Sequence, residues 1–142
     1  MPELPESFEP HPARDASLAS MRAVEAGDRD AWLALFAPDA VVEDPIGPSA
    51  FDPEGRGHHG RDSGIAAFYD TVIAPNDSVT FTLAASYAGG NEVANVGTIS
   101  TVLPGGSGTV HTDGVFTYRV DDTGKVVALR AYWEMDKVRF EA

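Results

Sequence analysis

At 142 residues the chain is about one domain long, enough to bury roughly 68–70% of its unfolded surface without covalent staples. Having no cysteine, it lacks a disulfide framework, a thiolate nucleophile and a thiolate metal site. Ten Lys+Arg against 22 Asp+Glu give a net charge of −12, the wrong sign for gripping nucleic acid or an anionic membrane surface, whereas a neutral apolar ligand meets no such barrier. No apolar run reaches the roughly 18 residues of a membrane span, and no basic stretch leads into an apolar one at the N-terminus. The expectation is a soluble, cytoplasmic protein.

Residues 1–14 carry four prolines and three glutamates without a period, and read as a flexible arm preceding one domain over 15–142. From Ala16, the spacing of Leu18, Met21, Arg22 and Glu25 predicts a helix that Gly27 caps. Asp28 or Asp30 starts a second, apolar helix with Trp32, Leu33, Leu35 and Phe36, which Pro38 stops. Ala40–Pro45 reads as a short strand running into a proline, residues 46–60 as a Gly- and Pro-rich loop. A third helix is predicted from Arg61 or Asp62, with Ile65, Phe68, Tyr69 and Val72 on one face, ending before Pro75. Alternation then predicts antiparallel strands over roughly 79–85, 93–102, 110–120 and 126–138, separated by Gly- and Asp-rich turns. Helices followed by such strands define an α+β fold whose twisted sheet curls to leave a concave apolar face.

Asp44 stands where the first strand meets the proline loop, with Val41, Val42 and Ile46 about it. A carboxylate in apolar surroundings has its pKa raised by desolvation and is suited to shuttling protons; a solvated strand-end Asp is the alternative. The segment Val42-Glu43-Asp44-Pro45-Ile46-Gly47, after Trp32-Leu33-Ala34-Leu35-Phe36 and Ala26-Gly27-Asp28, resembles the ketosteroid isomerase branch of the NTF2-like (SnoaL-like) superfamily. The likeness continues through Phe68-Tyr69 and Gly124–Ala131, and from Gly114 to Val120 with Tyr132-Trp133 it is similar to actinobacterial members.

The resemblance implies a conical barrel of three N-terminal helices on a curved antiparallel sheet, with a pocket inside. It implies an isomerase in which an Asp base moves a proton between carbons of a Δ5-3-ketosteroid, while a Tyr and a protonated Asp stabilise the dienolate. The base position is Asp44. The Tyr position is Ser20 and the protonated-Asp position is Phe116, so both usual donors are replaced. Residues two apart on a strand share a face; with Phe116 inward, Tyr118 and Val120 follow, and Tyr118 is the substitute donor. Leu129, Ala131 and Trp133 share the inner face of the last strand, where Trp133 matches an aromatic pocket position. Tyr69 matches a Tyr supporting the catalytic hydrogen-bond network. Ser20, Phe36, Phe68, Tyr69, Phe116, Leu129 and Trp133 are thus expected around the substrate, with Asp44 and Tyr118 catalytic. The resemblance also implies a homodimer. A steroid binder without turnover and a polyketide cyclase-like enzyme are the alternatives. Proton shuttling needs no metal or organic cofactor. His58-His59, adjacent in a Gly-rich loop, do not converge on a metal as an i, i+4 pair would, and Arg119 and Arg130 are expected to face outward.

Overall fold

The computed structural model describes residues 8–142. Two helices, α1 (Pro12–Ala26) and α2 (Arg29–Leu33), and a third helical segment over residues 60–73 pack on a curved, unclosed sheet of seven strands. The strands are β1 (Phe36–Glu43), β2 (His58–His59), β3 (Ser78–Gly89), β4 (Glu92–Val102), β5 (Thr109–Val120), β6 (Val126–Tyr132) and β7 (Arg139–Glu141). Their order is β2-β1-β6-β5-β4-β3, with β7 on the free start of β5; all pairs are antiparallel except β1–β6, which is parallel. The α+β expectation holds.

Helix α1 begins four residues before the expected Ala16. Its N-cap is His11, whose Nδ1 accepts from the Ala13 amide at 3.1 Å, and Pro12 supplies the preset φ of a first helical residue. Residues 12–14 of the expected arm are therefore helical, with Ala13 fully buried and the Arg14 guanidinium bonded to Ser86 Oγ at 3.0 Å; residues 1–7 of that arm lie outside the described residues. Gly27 ends the helix at φ 68°, as expected, its amide donating to Ala23 and Val24 carbonyls.

Asp28 caps α2 through the Ala31 amide, but the helix stops at Leu33, and Phe36 and Pro38 belong to β1 instead. A register irregularity between Phe36 and Val41 takes up Pro38, where a missing amide costs no ladder bond. The third helical segment starts at Gly60 and contains π-helical turns at Gly60–Ile65 and Tyr69–Ile73 around Ala66–Phe68. The expected strand over 126–138 breaks at Tyr132; a 3₁₀ turn at Met135–Lys137 then leads into β7.

On β3 the alternation also breaks. Val79, Phe81 and Leu83 turn inward, but a bulge between Leu83 and Ala85 rotates Ala85 out and buries Ser86. Opposite this bulge a Cβ on Gly97 would stand 2.3 Å from the Thr82 carbonyl oxygen, so only glycine lets the strands meet there. The core under the sheet joins Met21, Trp32, Phe36, Val42, Ile65 and Val126, each at most 1% exposed.

Candidate active site

Between the helices and the concave face of the sheet lies a cavity of about 570 Å³, well within the range of small-molecule sites. Its wall is apolar, from Met21 and Val24 on α1 to Phe81, Ile99, Phe116 and Leu129 on the sheet. Four polar side chains converge at one end: Ser20, Tyr118, Asp44 and Trp133.

Asp44 gets there by parity. Val42 at the end of β1 is fully buried, Glu43 turns outward to pair with Arg130 at 3.0 Å, and Asp44 turns inward again. Just beyond the loop's first turn, the Ile46 amide donates to the Ala131 carbonyl at 2.9 Å and ties the loop to β6. The Trp133 indole N–H donates to Asp44 Oδ1 at 2.6 Å, leaving Oδ2 without a partner among the described residues. Trp133 reaches this position because Gly114 has no side chain: a Cβ there would lie 2.5 Å from the Tyr132 carbonyl oxygen and 3.1 Å from the Trp133 Cβ. Burial pushes the Asp44 carboxyl above the usual carboxylate range, and the indole hydrogen bond pulls the other way. A half-buried carboxylate of raised basicity, facing an apolar cavity through one free oxygen, is equipped to take a proton from carbon.

The second polar pair is made from opposite walls. Ser20 on α1 and Tyr118 on β5 place their hydroxyl oxygens 2.9 Å apart, and the Trp32 indole N–H donates to Ser20 Oγ at 2.9 Å. Ser20 and Tyr118 bring one O–H proton each, while their mutual hydrogen bond consumes one. One O–H therefore remains for a ligand oxygen. Burial raises the Tyr118 phenol, the Ser20 bond opposes this, and the Asp44 charge adds to the rise; the group stays a neutral donor throughout the working pH range.

Of the other expected residues, Phe68, Phe116, Leu129 and Trp133 line the cavity together with Ser20. Phe36 does not: it is fully buried behind the wall, edge-to-face on Trp32 with ring centres 4.7 Å apart. Tyr69 does not line it either. Its ring packs on Trp32 at 5.4 Å, and its hydroxyl makes no hydrogen bond to a described residue, so it touches the polar network only through Trp32 packing. Trp32, expected only as part of an apolar second helix, joins the polar network; a buried indole N–H needs an acceptor, and that requirement is the available signal. His58 packs on Phe68 at 4.7 Å, and among the described residues no group of three His, Asp or Glu side chains is placed to hold a metal ion. No helix among them is long and apolar enough to cross a membrane.

Residues 18–129 match the model of the SnoaL-like domain family, and the chain belongs to this NTF2-like family. No curated protein sequence matches it. Among solved structures it is similar to a Δ5-3-ketosteroid isomerase from Mycobacterium sp., at 45% identity and TM-score 0.84, covering 91% of this chain and 98% of that one. It is similar also to Rv0760c from Mycobacterium tuberculosis, at 39% identity and TM-score 0.86, covering 94% and 99%; that protein has a structure in complex with estradiol-17β-hemisuccinate. A computationally designed 17-OHP binder matches at 38% identity and TM-score 0.86, covering 92% and 99%.

If Trp133 tempers the basicity of Asp44, replacing it by Phe removes the only direct hydrogen bond that a described residue makes to the carboxylate and lets burial act unopposed. Activity that requires the ionised carboxylate falls as pH drops through the Asp44 pKa. The expected result for Trp133→Phe is an acid limb of the pH–rate profile displaced to higher pH; a limb that stays in place means the indole does not tune the base.

Proposed function

We propose that this protein is a steroid isomerase of the Δ5-3-ketosteroid type, moving a proton within an enolisable steroid or similar polycyclic ketone. The observation that carries this reading is the pairing, at one end of an apolar cavity, of a carboxylate with one free oxygen and a hydroxyl pair with one proton to spare. Asp44 Oδ2 takes the proton alpha to the ketone, the electron pair passes into the dienolate, and the oxygen's charge is met by the Tyr118–Ser20 pair. Asp44 then returns the same proton two carbons away, so the product is an isomer and no cofactor enters. Phe116 and Leu129 supply apolar surface for the rings, and Phe68 closes the opposite side.

The direct test is 5-androstene-3,17-dione with purified protein, followed by the absorbance of the conjugated enone. Formation above background supports the reading; a trace indistinguishable from buffer sinks it. Phe116 favours one second reading, a steroid binder without turnover, because an apolar ring stands where the family's second charge-stabilising acid is expected. Phenolic steroids, which mimic the dienolate, separate the two: a site built for a developing oxyanion binds them more tightly after Asp44→Asn, which imitates the protonated base.

The protein is further proposed to act as a homodimer through the convex side of the sheet, where Tyr87, Val96 and Tyr132 are exposed. Light scattering should give twice the chain mass, and a monomer mass at micromolar concentration removes the proposal.

A further inference from the structure

The cavity has a second polar end. Thr101 on β4 and Thr112 on β5 both line it, far from Asp44 along the strands. Thr112 is opposite Ile99 and Val110 is opposite Thr101, so the two threonines are diagonal neighbours on one face, with Cα atoms about 7–8 Å apart. Neither hydroxyl is hydrogen-bonded to a described residue, although each lies half-buried in an otherwise apolar wall. Asn76 stands at the same end: the neighbouring Asp77 amide donates to the Val102 carbonyl at 2.9 Å. Both Asn76 amide hydrogens are spent on the Val72 and Ile73 carbonyls, at 2.8 and 3.1 Å, which leaves the side-chain oxygen of this cavity-lining residue without a hydrogen-bond partner among the described residues. Among the described residues no Lys, Arg or His lines any part of the cavity.

We propose that Thr101, Thr112 and Asn76 form a subsite for a neutral oxygen function, best a hydroxyl, at the far end of the ligand from the carbonyl held by Tyr118 and Ser20. The inference rests on the steroid reading and sharpens it: the substrate carries oxygen at both ends of its skeleton. A hydroxyl suits the three groups together, since it accepts from a threonine and donates to the Asn76 oxygen, whereas a hydrocarbon end leaves both threonine hydroxyls and the Asn76 oxygen without a partner among the ligand and the described residues. The reach is consistent. Thr112 and Tyr118 are six residues apart on one strand, about 20 Å along it at most. A fused tetracyclic skeleton with an oxygen at each end is shorter than that length and fits between the two residues.

The two tryptophans of the chain, Trp32 and Trp133, both line the cavity, so their fluorescence reports occupancy without a label. Titrating wild type with estradiol and with its 17-deoxy analogue should show estradiol bound about tenfold more tightly, the gain of one or two neutral hydrogen bonds. In Thr101→Val/Thr112→Val that preference should shrink to within about twofold, the 17-deoxy compound keeping its wild-type affinity. Equal affinities for wild type, or a preference that survives the double substitution, overturn the subsite while leaving the steroid reading intact. Failure of both compounds to bind overturns the two together. The wild-type comparison needs no variant, so equal affinities overturn the subsite even if the double substitution does not fold.

Discussion

Asp44→Asn should lower the isomerisation rate by about 10²–10⁴-fold, the usual worth of a positioned general base, while leaving the fold intact. Asn has the same shape and keeps an oxygen for the Trp133 indole, which now donates to Asp44 Oδ1. The same change should raise thermal stability at neutral pH. Burial holds the folded-state carboxyl above its unfolded value, so the folded protein binds that proton more tightly than the unfolded chain. The charged form thus carries a penalty that is absent below the unfolded pKa and complete above the folded one. The melting temperature of Asp44→Asn should therefore exceed the parent's at pH 7, and the gap should close as pH falls toward the ordinary carboxylate range. A variant as fast as the parent removes Asp44 as the base; a gap that does not narrow in acid removes burial as the source of its basicity.

Tyr118→Phe should lower kcat by about 10²–10³-fold with little change in KM, because a donor aimed at charge that develops during the reaction acts on the transition state. Ser20→Ala is the informative partner. If Ser20 donates to Tyr118 and Tyr118 to the ligand, Ser20→Ala leaves a donor in place and costs less than Tyr118→Phe. The reverse order of losses assigns the free proton to Ser20. Ser20→Ala also strands the Trp32 N–H, since Ser20 is 1% exposed and holds both partners; an orphaned buried donor costs about 1–3 kcal/mol of stability, readable in urea. A Tyr118→Phe enzyme within twofold of the parent ends the assignment of that hydroxyl to the oxyanion.

Much of this site could be read from residue order because strands alternate strictly. Once Phe116 is taken as inward, Tyr118 and Val120 follow, and Arg130 goes out to Glu43. The same count reaches Thr112, but a threonine on a strand carries no sign of whether its hydroxyl will find a partner. Alternation failed where the backbone gains a residue: nothing in the Leu83–Ala85 stretch announces a bulge, whose cause lies on the neighbouring strand at Gly97. The early start of α1 was legible in Pro12 but obscured by the prolines around it and by His11, an uncommon cap. Phe36 was misplaced because an apolar run at helical spacing does not say where the last turn ends. Tyr69 was misplaced because its match in the family pattern fixes a position on a helix, not the direction of a hydroxyl.

The meeting of Ser20 and Tyr118 bears on how such chains are compared. A column-by-column reading finds serine and phenylalanine where tyrosine and aspartate are customary, and would score this lineage as having lost its machinery. Yet a phenol from the facing wall ends beside that serine, so the proposed chemistry has an address in space that need not coincide with an address in the chain. Surveys of relatives that index pockets by the position of each functional atom, whichever element supplies it, would sort working members from silent ones more faithfully than motif columns do.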